Sequence, residues 1–300
     1  MLNTKFSPWP SFSLKEAKKA QEILLSNKVN YWTGQECKHF EKEFADYTGT
    51  KYAVSLMNGT VALDVALISL GIGKGDEVIV TSRTFLASVT SIVNSGAKPV
   101  FADIDRESQN ITPENIAQAI TKKTKAIMCV HLAGWPCDMD EIKKIAKINN
   151  CYIIEDCAQA HGAKYKGKSV GSIGDIGCWS FCQDKIITTG GEGGMVTTNN
   201  KVLWKKMWSY KDHGKSYDLV HKKNPPSGFR WLHESFGTNL RMLEIQGAIG
   251  RIQLRQLDDW VKKRNIYQNK IWETSRKLKG LRVPNFKCSS CNNSKLSSSC

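Results

Sequence analysis

Tyr152-Ile-Ile-Glu-Asp156-Cys-Ala-Gln159-Ala-His161-Gly162 is the stretch that decides the fold. It is an apolar run that ends in two carboxylates and then a polar turn. Apolar residues on consecutive positions, rather than alternating ones, mark a strand buried on both faces of a parallel sheet. With Cys151–Glu155, the strand candidates are Tyr52–Leu56, Glu77–Thr81, Pro99–Ala102, Ala126–Val130, Ile176–Phe181 and Met195–Thr198, several of them apolar on consecutive residues. Helical patterns separate them, at Thr60–Leu70, Ala87–Asn94, Pro113–Ile120 and Met139–Asn149. Thr112 before Pro113 reads as an N-cap followed by proline at the first helical position, and Asp138 reads as a second N-cap. Strands alternating with helices predict an α/β fold with a mostly parallel seven-stranded sheet between helices. Residues 13–47 read as two helices broken at Asn27–Gly34, and residues 241–279 as one long charged helix. After Pro284 the composition turns to Ser, Asn, Cys and Lys with no apolar period.

The 300 residues, 41% hydrophobic and 24% charged, suit a globular protein with a sizeable core and exclude a disulfide-held miniprotein or a disordered polar chain. The net charge of +15 is unevenly placed. Residues 1–200 hold 22 basic and 21 acidic residues, whereas residues 201–300 hold 21 and 7. Such a bias fits a solvated basic face, or an anionic partner. The N-terminus carries no signal-like segment and no apolar run is long enough to span a bilayer, so a reduced, cytoplasmic protein without membrane contact is expected. Cys129, Cys151, Cys157 and Cys178 read as buried thiols in or beside strands. Cys288-Ser-Ser-Cys291, followed by Cys300, is a lone pair without a second one, so no metal site is expected.

Three segments can carry chemistry. Ligands of parallel α/β sheets bind beyond the carboxyl ends of the strands, which places Asp156 at a candidate site. A buried carboxylate needs a cationic or hydrogen-bonding partner; a protonated pyridine nitrogen is one, a structural ion pair another. In Ser180-Phe-Cys-Gln-Asp-Lys185-Ile-Ile-Thr-Thr-Gly-Gly-Glu-Gly-Gly194, a lysine stands between a strand and a glycine-rich turn. Lysine forms Schiff bases with carbonyl cofactors when its surroundings favour the neutral amine. In Ser55-Leu-Met-Asn58-Gly59-Thr60, a strand, a tight turn and a helix start offer free N–H groups and a hydroxyl to a phosphate. The glycines at 71, 73 and 75 follow a helix rather than a strand, so no dinucleotide fingerprint is read there.

The order of these segments resembles the fold-type I pyridoxal-phosphate enzymes, and in particular the DegT/DnrJ/StrS family of nucleotide-sugar aminotransferases. The resemblance rests on Tyr31-Trp-Thr33-Gly34, Asn58-Gly-Thr60, Thr84-Phe85-Leu-Ala, Phe101-Ala-Asp-Ile-Asp105, Val130-His-Leu-Ala-Gly134, Glu155 through Gly162, Ser180 through Gly194 and Gly237-Thr-Asn239-Leu-Arg241-Met242. It implies pyridoxal 5′-phosphate as cofactor, held by Lys185 as a Schiff base, with Lys185 later moving the catalytic proton. It further implies Asp156 on the pyridinium nitrogen, Gln159 on the ring oxygen and Phe85 stacked on the ring. Gly59, Thr60 and Ser180 would hold the phosphate, and Asn239 would reach the phosphate of a neighbouring subunit in a homodimer with shared sites. Lysine rather than histidine at 185 implies transamination rather than dehydration. The implied substrates are an amino-acid donor, glutamate by habit of the family, and a nucleotide-diphosphate keto-sugar of surface polysaccharide or related amino-sugar biosynthesis. Thr33, His213 and Arg241 are candidate sugar-nucleotide contacts, beside Lys211.

The resemblance divides the chain into a large cofactor-binding domain, 1–240, and a segment 241–300 that holds a long helix and the start of a small C-terminal domain, otherwise largely missing. The alternative reading is a catalytically impaired homologue, or a regulator built on the same fold whose basic last third meets an anionic partner. No helix-turn-helix spacing and no interleaving of aromatic and basic residues points to nucleic acid.

Overall fold

The computed structural model describes residues 9–222 and 232–284, so the Cys288, Cys291 and Cys300 segment lies outside the described residues. The chain opens with helices α1 (Leu14–Ser26) and α2 (Glu36–Thr48). It then alternates through β1 (Tyr52–Leu56), α3 (Gly59–Ser69), β2 (Glu77–Thr81), α4 (Ala87–Asn94), β3 (Lys98–Ala102), α5 (Pro113–Ala119), β4 (Thr124–Val130), α6 (Met139–Ile148) and β5 (Tyr152–Asp156). A short hairpin of β6 (Lys164–Tyr165) and β7 (Lys168–Ser169) precedes β8 (Ile176–Ser180) and β9 (Gly194–Thr198). Helices α7 (Lys201–Lys211), α8 (Tyr217–Val220), α9 (Glu244–Leu254) and α10 (Leu257–Ser275) complete the described chain.

All seven expected strands join one sheet, in the order β1-β9-β8-β5-β4-β2-β3. Pairing is parallel from β3 across to β8, and β9 alone runs against its neighbours β1 and β8. The central strands are buried on both faces, as their unbroken apolar runs require: every residue of β2, β8 and β9 is buried. One face packs on α3, α4 and α7 through Val54, Val65, Met128, Ile154 and Met207. Another core gathers Phe40, Phe44, Trp179, Phe181 and Met242 with Leu254, Leu257 and Val261, so α2, α9 and the start of α10 close over the β8–β9 region.

Local chemistry sets the helix boundaries. Thr112 caps α5, its hydroxyl accepting the Asn115 N–H, with Pro113 following it. Asn58 caps α3 by accepting the Val61 N–H at 3.0 Å. The N-terminus of α2 is capped from afar: buried Glu244 accepts the N–H of Glu36 and of Cys37. Gly34 is glycine for that reason, since a Cβ there would lie 2.1 Å from the Glu244 Oε2.

Three local expectations change. The long helix over 241–279 is two helices, α9 and α10, separated at Arg255–Gln256. Leu254 and Leu257, on either side of the break, are both buried in the core. Asp138 occupies the N-cap position of α6 as expected, but its carboxylate makes no cap hydrogen bond and accepts the Tyr165 hydroxyl at 2.7 Å instead. Cys151 precedes β5 and is half-buried, unlike Cys129, Cys157 and Cys178. No helix among the described residues is long and apolar enough to cross a membrane.

Candidate active site

The carboxyl ends of β1, β4, β5 and β8 open on one cavity of about 450 Å³. Its lining includes Gly59, Thr60, Phe85, Asp156, Gln159, Ser180 and Lys185, residues up to 126 positions apart in sequence that the parallel sheet delivers to one place.

Asp156 forms its back wall. It is only 7% exposed, its Oδ2 accepts the Ser88 hydroxyl at 2.7 Å and its Oδ1 accepts the Ala158 N–H at 3.1 Å. Burial raises its pKa above the ordinary aspartate value, and these two donors only partly offset it. A carboxylate held like this still seeks a cation. Thr84 shares a 2.7 Å hydrogen bond with Ser88, so Thr84, Ser88 and Asp156 form a chain along the cavity wall. Ser88 is a contact that the sequence reading did not single out; its signal was the four-residue step from Thr84 across the first turn of α4.

Gln159 is oriented by the loop after β4, its Oε1 accepting the Ala133 N–H at 2.9 Å, which makes its NH₂ the donor end. Lys185 also lines the cavity, mostly buried, with Nζ 2.8 Å from Asp184. Burial raises and the lysine lowers the Asp184 carboxyl, and the lysine prevails. Covalent use of Lys185 therefore begins by breaking this pair. Phe85 also lines the cavity and is 73% exposed among the described residues.

The floor is a cradle for an anion. The first N–H groups of α3 have no partner within the helix, and the hydroxyls of Thr60 and Ser180 join them. Three chain segments meet so closely here that side chains do not fit. A Cβ on Gly59 would come within 2.5 Å of the Ser180 Cβ, and one on Gly194 within 2.1 Å of the Asn58 carbonyl oxygen. The glycine-rich turn uses its other glycines differently: Gly190 and Gly191 take φ of +90° and +122°, where L side chains are strained.

The remaining candidates lie elsewhere. Asn239 is exposed and bridges Asp212 beyond the end of β1 rather than lining the cavity. His213, also exposed, adopts φ +60°. The guanidinium of Arg241 donates to Asp212 at 2.8 Å, while its buried Nε has no hydrogen-bond partner among the described residues. Thr33 sits exposed between α1 and α2, its hydroxyl donating to the Asn30 carbonyl. Lys211 is a structural residue and a correction to the candidate list. It is fully buried over the Tyr31 ring at 3.6 Å and pairs with Glu41, so it cannot meet a ligand.

Pyridoxal phosphate fits this donor set: an anion cradle floored by glycine, a buried carboxylate still short of a cation, an amide donor and a lysine face the same space. A mostly parallel seven-stranded sheet carrying that constellation defines the fold-type I aminotransferase class, and the comparisons agree. The chain belongs to the DegT/DnrJ/EryC1/StrS aminotransferase family, whose profile matches residues 11–290. It is 45% identical over 270 residues to GDP-perosamine synthase of Escherichia coli O157:H7, covering 87% of this chain and 70% of that protein. It is 42% identical over 247 residues to the dTDP-3-amino-3,6-dideoxy-alpha-D-galactopyranose transaminase of Aneurinibacillus thermoaerophilus, covering 82% of this chain and 64% of the other. Among solved structures, the aminotransferase from Psychrobacter cryohalolentis superposes with a TM-score of 0.96 at 59% identity, over 98% of this chain and 76% of that one.

Proposed function

We propose that this protein transfers an amino group from an amino-acid donor, glutamate being the first choice, to the keto carbon of a nucleotide-diphosphate-linked deoxysugar, using pyridoxal 5′-phosphate in the cavity described above. The observation that carries this reading is the convergence of Lys185, Asp156 and Gln159 with the N-terminus of α3 on one space. Relatives named for GDP- and dTDP-linked amino sugars support the substrate class.

Bound there, the cofactor would supply an aldehyde carbon and a ring able to take up electron density. The α3 N–H groups with Thr60 and Ser180 would fix its phosphate, and Asp156 would hold its ring nitrogen protonated. Gln159 would donate to the ring oxygen, and Phe85 would cover one face. Lys185 would hold the aldehyde at rest and, once displaced by an incoming amine, carry a proton at Nζ between donor carbon and cofactor. Over two half-reactions the donor exchanges its C–N bond for C=O and leaves as a 2-oxo acid, and the sugar undergoes the reverse change. Arg241, with an unused Nε, is our candidate for the diphosphate, and Thr33 and His213 for the sugar nucleotide. Asn239, exposed at the margin of the fold, would complete the site of a second subunit in a homodimer.

The test is the visible spectrum of the protein with added pyridoxal phosphate, before and after borohydride, beside Lys185→Ala. A visible band in the wild type, fixed to the chain by borohydride and absent from the variant, is expected, and glutamate should bleach it. Nitrogen transfer from glutamate to a GDP- or dTDP-4-keto-6-deoxysugar, falling by at least about 10³-fold in Lys185→Ala, completes the demonstration. A wild-type protein that forms no band overturns the reading.

A further inference from the structure

Behind the cavity, on the other face of β5, lies a second cluster of ionisable side chains: His131, Glu155 and Cys157, whose ligand atoms all lie within 4.8 Å of one another. A metal is the obvious occupant, but the donors are already engaged. Glu155 accepts the N–H groups of Gly171, Ile173 and Gly174 at 2.8, 2.8 and 2.6 Å, and its Oε2 lies 3.0 Å from His131 Nε2. The other ring nitrogen of His131, Nδ1, accepts the Cys137 N–H at 3.1 Å, which leaves the ring proton on Nε2, donated to Glu155. Burial pushes the Cys157 thiol well above its ordinary pKa, and Sγ donates to the Glu155 carbonyl oxygen.

This knot is tied to both residues that face the ring. Glu155 and Asp156 are adjacent on one strand and so point to opposite faces, and fixing one fixes the other. The His131 N–H also donates to the Asp156 carbonyl at 3.1 Å. Its imidazole closes the loop 131–137 on itself, helped by Cys137 Sγ on the Val130 carbonyl. Inside that loop Ala133 takes φ +51°, a left-handed conformation costly for alanine, and there it donates to Gln159. Asn110 braces the same loop through the Leu132 N–H and the Trp135 carbonyl.

We propose that the His131–Glu155 pair is a positioning device for the cofactor ring, setting Asp156 through the strand and Gln159 through Ala133. His131 and Glu155 touch no ligand themselves. The inference rests on the reading of the cavity as a pyridoxal-phosphate site, and it makes His131 a determinant of how the ring is held rather than of whether the chain folds.

Two variants separate the strands of the argument. His131→Asn offers an oxygen in place of Nδ1, so the loop still closes on Cys137, but it cannot reach Glu155. His131→Gln offers an amide NH₂ in place of Nε2 and keeps Glu155 paired. Two readouts are needed. In the apoprotein, amide exchange at Ala133 should rise in His131→Gln, which loses the acceptor that closes the loop, and stay near wild type in His131→Asn. In the loaded protein, His131→Asn should weaken pyridoxal-phosphate binding about tenfold, the size of effect that orienting partners have on the groups they hold. It should also move the pH midpoint of the visible band upward by about half a unit or more, because a firmly protonated ring nitrogen disfavours a further proton. His131→Gln, with Glu155 still paired, should keep the midpoint near the wild-type value. Wild-type affinity and midpoint in His131→Asn, together with wild-type exchange at Ala133 in His131→Gln, would overturn the inference while leaving the function intact. A wild type that forms no band would overturn the functional reading, and the exchange experiment would still decide whether the pair fixes Ala133.

Discussion

Glu155 and Asp156 are adjacent carboxylates on one strand, both hidden from solvent, yet their surroundings drive them in opposite directions. Glu155 meets four donors, from His131, Gly171, Ile173 and Gly174. Burial alone would raise its pKa, but those donors hold it below the ordinary glutamate range. Asp156 meets two, from Ser88 and Ala158, and burial wins. The first carboxylate is a finished structural joint. The second, on the function proposed above, is a site whose partner would be the cofactor's ring nitrogen. Burial by itself therefore says little about the role of an acidic residue, and the balance of donors against desolvation says much more.

The comparison breaks most visibly on the finished side. Glu155→Leu has nearly the same size but leaves three backbone N–H groups and the His131 Nε2 proton without acceptors. Unfolding in denaturant should show a loss of about 3–5 kcal/mol, the cost of removing one partner from a buried charged network. A loss below about 1 kcal/mol would mean that water or a rearranged loop 171–174 replaces the carboxylate.

His161 supplies a third case on the same turn. It is fully buried against Trp179 and Phe181, and burial, with the nearby Lys185 charge, drives its pKa from 6.5 down to about 3, while Ser180 and Asp184 oppose and Arg264 adds to the shift. The unfolded chain takes up a proton below about pH 6.5 and the folded one does not. Stability from this residue is thus complete above pH 6.5 and lost as pH falls toward 3. Between pH 7 and pH 4 the loss should reach about 3 kcal/mol. His161→Phe should remove that part of the acid sensitivity, measured as unfolding free energy at the two pH values.

Much of this was legible in the sequence, for identifiable reasons. β-rich runs alternating with helical patterns located the seven strands, several of them by unbroken apolar residues, because a strand buried on both faces leaves no alternating pattern. Asp156 and Lys185 were legible because strand ends and glycine turns place them at the mouth of a parallel sheet. What the sequence hid was pairing between distant residues. Nothing in Val130-His-Leu-Ala shows that His131 faces Glu155, and nothing in Tyr210-Lys211 shows that Lys211 is buried over Tyr31 rather than offered to a ligand. The break between α9 and α10 was hidden as well, because Leu254 and Leu257 fit a continuous helical period and only packing separates them.

The smallest effect is the one that best separates the two carboxylates. In the apoprotein the folded state holds the Asp156 proton to a higher pH than the unfolded chain does. The stability it contributes is therefore complete below about pH 3.8 and lost as pH rises through the folded value. At neutral pH the ionised group is a burden, and Asp156→Asn should make the apoprotein more stable, by less than Glu155→Leu costs, a gain that disappears as pH approaches 4. The same variant should bind pyridoxal phosphate at least about tenfold more weakly, because an amide cannot hold a ring nitrogen in its protonated form. Stability and ligand binding moving in opposite directions would identify Asp156 as a residue retained for its ligand. If Asp156→Asn instead lowered apoprotein stability as Glu155→Leu is expected to, the distinction between joint and site would fail, and Ser88 and Ala158 would already complete the needs of Asp156.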